Sequence, residues 1–306
     1  MNVKNTLTLI LVGLFLLSCS NDTSQIKRDK TPIKLTKEFK AYWYNNEAEI
    51  TSYQLEQARY GEIHTGNAVL VFVTEPFSIV KQVKADHPTE RDVSVLKLNF
   101  TKKFITGIYP YSMMTSSFTP LDYFNKHALK TTTSSQEWCG HSYMQMNKKK
   151  GKYEVSSFSY FESEGDQQKQ VDVQWLEDEI WTKIRINPEL LPEGKAEMIP
   201  SSFYIRLMHK ELKAYQVELT KTKMTDELNS YKIVYEDLGR ELIITYRNAF
   251  PFSIESWEES YVSGWGEQAQ QLTTKATKLK TIKSDYWTKN GVKDLKMREL
   301  LLLDKE

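Results

Sequence analysis

The stretch Gln136-Glu137-Trp138-Cys139-Gly140-His141 concentrates the residue types that can do chemistry: a carboxylate, a thiol and an imidazole at alternate positions. On a β-strand alternate side chains share a face and stand about 7 Å apart, at roughly 3.3 Å rise per residue. Glu137, Cys139 and His141 then form one row, continued by Thr131, Thr133 and Ser135. Trp138 takes the other face, beside the space left by Gly140. Such a row could hold zinc, or pair a cysteine nucleophile with a histidine base. Side chains that stand parallel converge poorly, which disfavours the nucleophile–base pair. The competing reading is a buried thiol in a core strand, with Glu137 and His141 as a polar pair at a barrel mouth. That reading is the default. Glu137, Trp138, Cys139 and His141 are therefore carried forward as candidate ligand-binding residues, and no residue is assigned as catalytic.

Other patterns are less informative. His64, His87, His127 and His209 occupy no metal-binding spacing, and no Gly-x-Ser-x-Gly elbow, Gly-x-x-x-x-Gly-Lys loop or Gly-x-Gly-x-x-Gly fingerprint occurs. No metal or cofactor is expected. Glu255, Glu258 and Glu259 flank Trp257, and two carboxylates beside a tryptophan suggest glycoside hydrolysis. Strand alternation, however, sets Glu258 on the face opposite Glu255, Trp257 and Glu259. The aromatic clusters Tyr42-Trp43-Tyr44, Tyr109-Pro110-Tyr111 and Phe250-Pro251-Phe252 could stack sugars or acyl chains, but core packing is their ordinary role.

The elements that must position these residues are mostly strands. Period-2 alternation with turn punctuation runs through residues 50–60, 68–74, 93–100, 105–114, 129–146 and 153–161. It resumes at 212–219, 231–235, 242–246, 252–257 and 273–282. Gly66-Asn67 reads as the turn of the first hairpin. Lys148-Lys149-Lys150-Gly151 reads as a solvated hairpin turn, and Asp237-Leu238-Gly239-Arg240 as another. A phase change inside 93–100 predicts a bulge, and Pro110 predicts an edge or bent strand. Helix signals are few. Asp172 can cap a helix with Val173, Leu176, Ile180, Trp181 and Ile184 on one face, ended by Pro188. A second helix is expected over 292–302. The pattern predicts a mainly β chain: a large twisted antiparallel sheet, an open or closed barrel, with one or two packed helices.

The amino terminus has the grammar of export. Lys4 precedes the apolar run 7–17, which is too short to span about 30 Å of hydrocarbon and fits a signal-peptide core. Leu16-Leu17-Ser18-Cys19 resembles a bacterial lipobox, so residues 1–18 are expected to be removed and Cys19 to carry lipid. Residues 19–36 read as a flexible polar tether with a reach on the order of 20–25 Å. Residues 37–306 follow as a single β-rich domain. Asp22 stands alone after the cysteine, where a surface-export tag would carry several acids, so an outer-membrane, periplasm-facing anchor is expected. Without Lys4 the mature chain has 40 basic and 40 acidic residues, which argues against general nucleic-acid binding. Cys19 and Cys139 are the two cysteines. With Cys19 lipidated, Cys139 has no intramolecular partner and is expected to be buried and inert.

Five stretches resemble an envelope lipoprotein family of the Bacteroidetes: "EITSYQLEQARYGEIHTGNAVLVFVTEPF", "KQVKAD", "VLKLNFTKKFITGIYPYSMMTSSF", "SSQEWCGHSYMQMN" and "FPFSIESWEE", spread over residues 49–259. Members of that family sometimes carry the label septum formation inhibitor Maf. Genuine Maf proteins are cytoplasmic nucleotide pyrophosphatases with an amino-terminal Ser-Pro-Arg-Arg type loop, which this chain lacks. The resemblance implies an envelope lipoprotein and brings no activity with it. The leading expectation is a membrane-anchored, non-catalytic protein that binds a hydrophobic or glycan ligand or an envelope partner. A periplasmic hydrolase or metal-dependent enzyme on the Glu137/Cys139/His141 row, and a structural assembly component, are the alternatives.

Overall fold

The computed structural model describes residues 32–123 and 126–303. The expected signal peptide, Cys19 and most of the expected tether lie outside the described residues. Helix α1 (Lys37–Trp43) leads into β1 (Ala48–Arg59), β2 (Glu62–Ser78), β3 (Val83–Lys84), β4 (Val93–Thr106) and β5 (Tyr109–Pro120). Then come β6 (Lys130–Glu137), β7 (Gly140–Lys149), β8 (Lys152–Ser159), β9 (Gln167–Asp172) and β10 (Trp175–Leu176). Helix α2 (Glu177–Ile186), β11 (Gly194–Ile199) and helix α3 (Ser202–Met208) follow. The chain closes with β12 (Tyr215–Lys223), β13 (Leu228–Tyr235), β14 (Arg240–Arg247), β15 (Ile254–Ser263), β16 (Gln270–Ser284) and the short helix α4 (Lys296–Leu300).

All sixteen strands among the described residues belong to one sheet. The ladder runs from β10 through β11 to β16, crosses to β1, and continues through β2, β4 and the rest to β9, with β3 on β2. Every pairing is antiparallel except β10 with β11. The ladder is not closed between β9 and β10, yet only residues 173 and 174 separate them in the chain. So short a connection reaches on the order of 10 Å, so the sheet must curl until its two ends meet. The result is a mainly β, barrel-like sheet with few helices, as the strand pattern implies.

Several local expectations shift. The first hairpin turns at Tyr60 and Gly61, both at positive φ, the backbone of a tight two-residue turn. Gly66 instead sits inside β2, opposite both Leu55 and Phe104. A Cβ there would lie 2.1 Å from the Lys103 carbonyl oxygen. The glycine is thus required by close strand approach, not by a turn. The ladders flanking residues 93–100 are continuous, and the breaks fall at Ser52/Tyr53 and Thr245/Tyr246. Asp172 ends β9, so the helix starts four residues later than the cap signal suggests. Helices α1 and α3 have seven residues each and leave too little periodicity to read. The segment 32–36 is docked rather than free: Pro32 bridges Tyr123, Ile33 N–H donates to Asp122 O, and Ile33 and Leu35 pack on the core.

The barrel interior is filled. All ten residues of α2 are buried. Trp181 meets Phe100 and Trp257 at ring separations of 5.1 and 5.3 Å, and Tyr53 meets Trp257 in a tilted contact at 4.8 Å. Buried charge accompanies this apolar packing. Arg240 binds Glu177 through both terminal nitrogens, at 2.5 and 2.6 Å, and Glu259 through Nε at 2.8 Å. Tyr235 OH donates to Glu177 at 2.9 Å, and Lys102 stands 3.8 Å from Glu259. At the other end of α2, Arg185 forks onto Glu49 at 2.5 and 2.6 Å and donates to Pro251 O at 2.8 Å. Burial opposes the charge on Glu259, but Arg240 and Lys102 hold its carboxyl below the usual range. Removing one partner of such a pair strands an uncompensated buried charge, which costs about 3–5 kcal/mol. Arg240→Leu should therefore lower the urea unfolding free energy by about that much, whereas Lys152→Ala, in an exposed pair with Asp172, should leave the midpoint nearly unchanged. Equal effects would contradict a structural role for the buried network.

Candidate functional site

The Glu137/Cys139/His141 row does not exist as a row. Strand β6 stops at Glu137 and β7 begins at Gly140, leaving Trp138 and Cys139 as the two-residue hairpin turn. Glu137 pairs with Gly140, and His141 pairs with the exposed Gln136. Directly paired residues share a face, so His141 is outside while Glu137 is buried inside. Cys139 is exposed, not buried. Its backbone N–H donates to Glu137 Oε2 at 2.6 Å, and a hydrogen bond to that carboxylate, then its charge, push the thiol pKa up. Trp138 is 68% exposed at the tip. Among the described residues no group of three or more His, Cys, Asp or Glu side chains could hold a metal ion. Glu259, noted beside Trp257, belongs to the buried network.

The structure brings a different set together. A cleft of about 340 Å³ lies between helix α3 with its following loop and the strands β6 to β9. Its floor and walls include Met144, Ser157, Lys169, Ile205 and Leu212. Ser201 caps α3 by accepting the Phe203 N–H at 3.2 Å. The helix ends at His209, whose φ of 51° is left-handed, with the Lys210 N–H returning to Ile205 O in the manner of a left-handed carboxyl-terminal cap. That reversal delivers His209 to Glu164, on the connection between β8 and β9, with Nδ1 to Oε1 at 2.5 Å.

Glu164 also accepts Ser159 Oγ at 2.5 Å. Partial burial opposes its charge, but the hydrogen bonds from Ser159 and His209 and the charge of Arg206 hold its carboxyl below the ordinary value. Arg206 is fixed on three sides. Its Nε donates to Ser142 Oγ at 2.8 Å, its guanidinium lies 4.6 Å over the Phe161 ring, and Nη1 stands 3.9 Å from Glu164 Oε1. Nη1 is shielded from solvent and, among the described residues, has no hydrogen-bond acceptor. Lys169 and Lys210 add positive charge to the cleft lining, against Glu164 and Glu211, and Glu211 is already paired with Lys213 at 2.8 Å. The arrangement can bind an anionic, hydroxyl-bearing molecule. In the sequence His209 shows only as a histidine outside any metal spacing, and nothing marks Arg206 or Glu164, because the partners lie about 40 residues apart in no local pattern.

Beneath the cleft Ser202 turns its hydroxyl inward, donating to Asp178 Oδ2 at 2.7 Å, and its N–H does so at 3.1 Å. Burial pushes the Asp178 carboxyl up from 3.8 to about 6; the Ser202 hydrogen bond opposes this and the neighbouring Glu177 adds to it.

No protein-family model and no curated protein matches the chain. Among solved structures the chain is similar to a β-barrel-like protein of domain of unknown function DUF1849 from Brucella abortus, at 9% identity and a TM-score of 0.46 over 77% of this chain and 96% of that one.

Asp178 makes the stability pH-dependent with a definite sign. Its folded pKa is above its unfolded value, so its contribution is fully present below about pH 4 and lost as pH rises through about 6. The rise from 3.8 to about 6 corresponds to roughly 3 kcal/mol. Asp178→Asn keeps a neutral acceptor for Ser202, so its stability relative to wild type should rise by roughly that amount between pH 4 and 7. Parallel pH profiles of the two proteins, from urea unfolding, would refute this assignment.

Proposed function

We propose that the protein is a non-catalytic envelope lipoprotein, held by lipid on Cys19 at the periplasmic face of the outer membrane, whose domain binds a ligand in the cleft between α3 and β6 to β9. The observation that carries this reading is Arg206: its guanidinium is held in place by Ser142 and Phe161 while Nη1 is left without an acceptor. A buried donor left unmade costs about 1–3 kcal/mol, and an incoming acceptor recovers it. The filled interior argues for the cleft and against a ligand deep in the barrel. At about 340 Å³ the cleft is near the lower end of small-molecule sites, roughly 300–1,000 Å³.

The position of the chain's described start supports the same reading. Pro32 meets Tyr123 between β5 and β6, at the sheet edge opposite the β8–β9 connection that carries Glu164. A flexible tether leaving there would start at the edge away from the cleft and leave its mouth uncovered.

The test is native mass spectrometry of the full chain purified from its own envelope, beside Ser157→Trp, which fills the cleft from β8. A small molecule retained by the wild type and lost from the variant, with unchanged melting, is the expected result. Retention by both proteins would place the ligand elsewhere and defeat the reading.

A further inference from the structure

The cleft continues into a run of aromatic side chains along one edge of the sheet. Phe161 lies under Arg206 and meets His209 at 5.1 Å and Tyr160 at 5.5 Å. The Tyr160 ring occupies the space above Gly140, where a Cβ would approach it to 2.6 Å. Two residues before Gly140, Trp138 caps the β6–β7 turn and stands 6.4 Å from Tyr109. Tyr109 OH donates to Tyr60 OH at 3.1 Å, and Tyr60 meets Trp265 at 5.4 Å. Tyr160, Trp138 and Trp265 are 63, 68 and 60% exposed. These residues lie in or directly beside four successive connections at one edge, β8–β9, β6–β7, β4–β5 and β1–β2, with Trp265 from β15–β16.

Exposed tryptophan and tyrosine rings offer an apolar face with a polar rim. A pyranose ring is the complementary object, with C–H groups on its face and hydroxyls around its edge. The cleft at the end of the run is cationic and bears the Ser157 hydroxyl and the Gln167 amide. An acyl chain would want a predominantly apolar lining. Charge complementarity asks for an acid on the ligand, and the fork of Arg206 suits a carboxylate or phosphate.

We propose that the ligand of the cleft is an anionic oligosaccharide. Its acidic group takes Nη1 of Arg206, which has Glu164 at 3.9 Å but no hydrogen-bond acceptor, with Lys169 and Lys210 nearby, and its following sugar rings lie on Phe161 and Tyr160 and then on Trp138 and Tyr109. The proposal rests on the cleft-binding reading above and names the ligand class of that site. It also gives the exposed Trp138 a role that neither the zinc nor the nucleophile reading of its hairpin supplied.

The full chain in detergent is applied to an array of oligosaccharides in four series: neutral, uronate-bearing, phosphate-bearing, and single acidic monosaccharides. Anionic chains should bind, neutral chains should not, and the acidic monosaccharides should bind at least about tenfold more weakly, a difference of about 1.4 kcal/mol. Uronate against phosphate identifies the acid. Arg206→Gln should abolish the preference for acidic chains and Arg206→Lys should restore part of it. Trp138→Ala, at an exposed tip, should weaken chains but not monosaccharides. Binding of neutral and acidic chains alike, no binding of any acidic chain, or stronger binding to phosphatidylglycerol vesicles or to an acidic peptide overturns the glycan assignment. If the array fails while Ser157→Trp still displaces a native ligand, the class is wrong and the cleft stands; if Ser157→Trp displaces nothing, the cleft reading itself has failed.

Discussion

Helix α2 carries Glu177, Asp178, Glu179, Lys183 and Arg185 into the middle of the barrel, and every one of them is buried. Removing an ion from water costs several kcal/mol even after relaxation, and the cost is recovered only with close, well-directed partners. Those partners come from far along the chain. Arg240 at the start of β14, itself held by Glu259 in β15, serves Glu177, while Glu49 in β1 serves Arg185. Glu179 accepts the backbone N–H of Ala128 at 2.5 Å and His127 Nδ1 at 2.7 Å, both before β6. A strand that slipped by one residue would turn its partner to the outside. The helix therefore pins the register of strands on both sides of the curled sheet, and the sheet has little freedom to pair otherwise.

The same constraint shapes the cleft. Asp178 is tied to Ser202 at the first residue of α3, so the helix that fills the barrel also seats the helix that walls the site. Arg59 donates to the Leu207 carbonyl, and Phe203 meets Phe100 at 5.2 Å, which holds α3 against the inner face of the sheet. Arg206 is presented from a short helix fixed along its length, and its fork is consequently pre-organised. The chemistry of the site is borne by three side chains, Glu164, Arg206 and His209, that would have no fixed relation without that support.

Much of the β content was legible because alternation survives wherever one face of a strand is buried. The Lys150–Gly151 turn was legible because its positive φ angles need a permissive residue. The failures are equally specific. Gly66 was read as punctuation because a glycine required by close strand approach has the same letter as one required by a turn. The Glu137/Cys139/His141 row was read on a single strand, and a two-residue turn inverts the phase of all that follows it. The start of α2 was misplaced because Asp172 has the chemistry of a cap while serving as a strand end.

By itself, the sequence determined the class of the chain: strand-rich, balanced in charge, and without nucleotide-loop or nucleophile-elbow spacings; export and lipid attachment are what its amino terminus leads one to expect. Those are properties of composition and local period, which persist whatever the chain folds into. The tertiary structure alone decided that a ten-residue helix with charges at both ends would fill a barrel, and that Arg206 and His209 would meet Glu164 across about 40 residues of chain. It also decided that Trp138 would stand exposed at a hairpin tip beside Tyr109 rather than on the face of a continuous strand. The physical reason is that buried ion pairs and clefts are made between segments remote in the chain, where charge and shape are satisfied in three dimensions and leave no spacing to read.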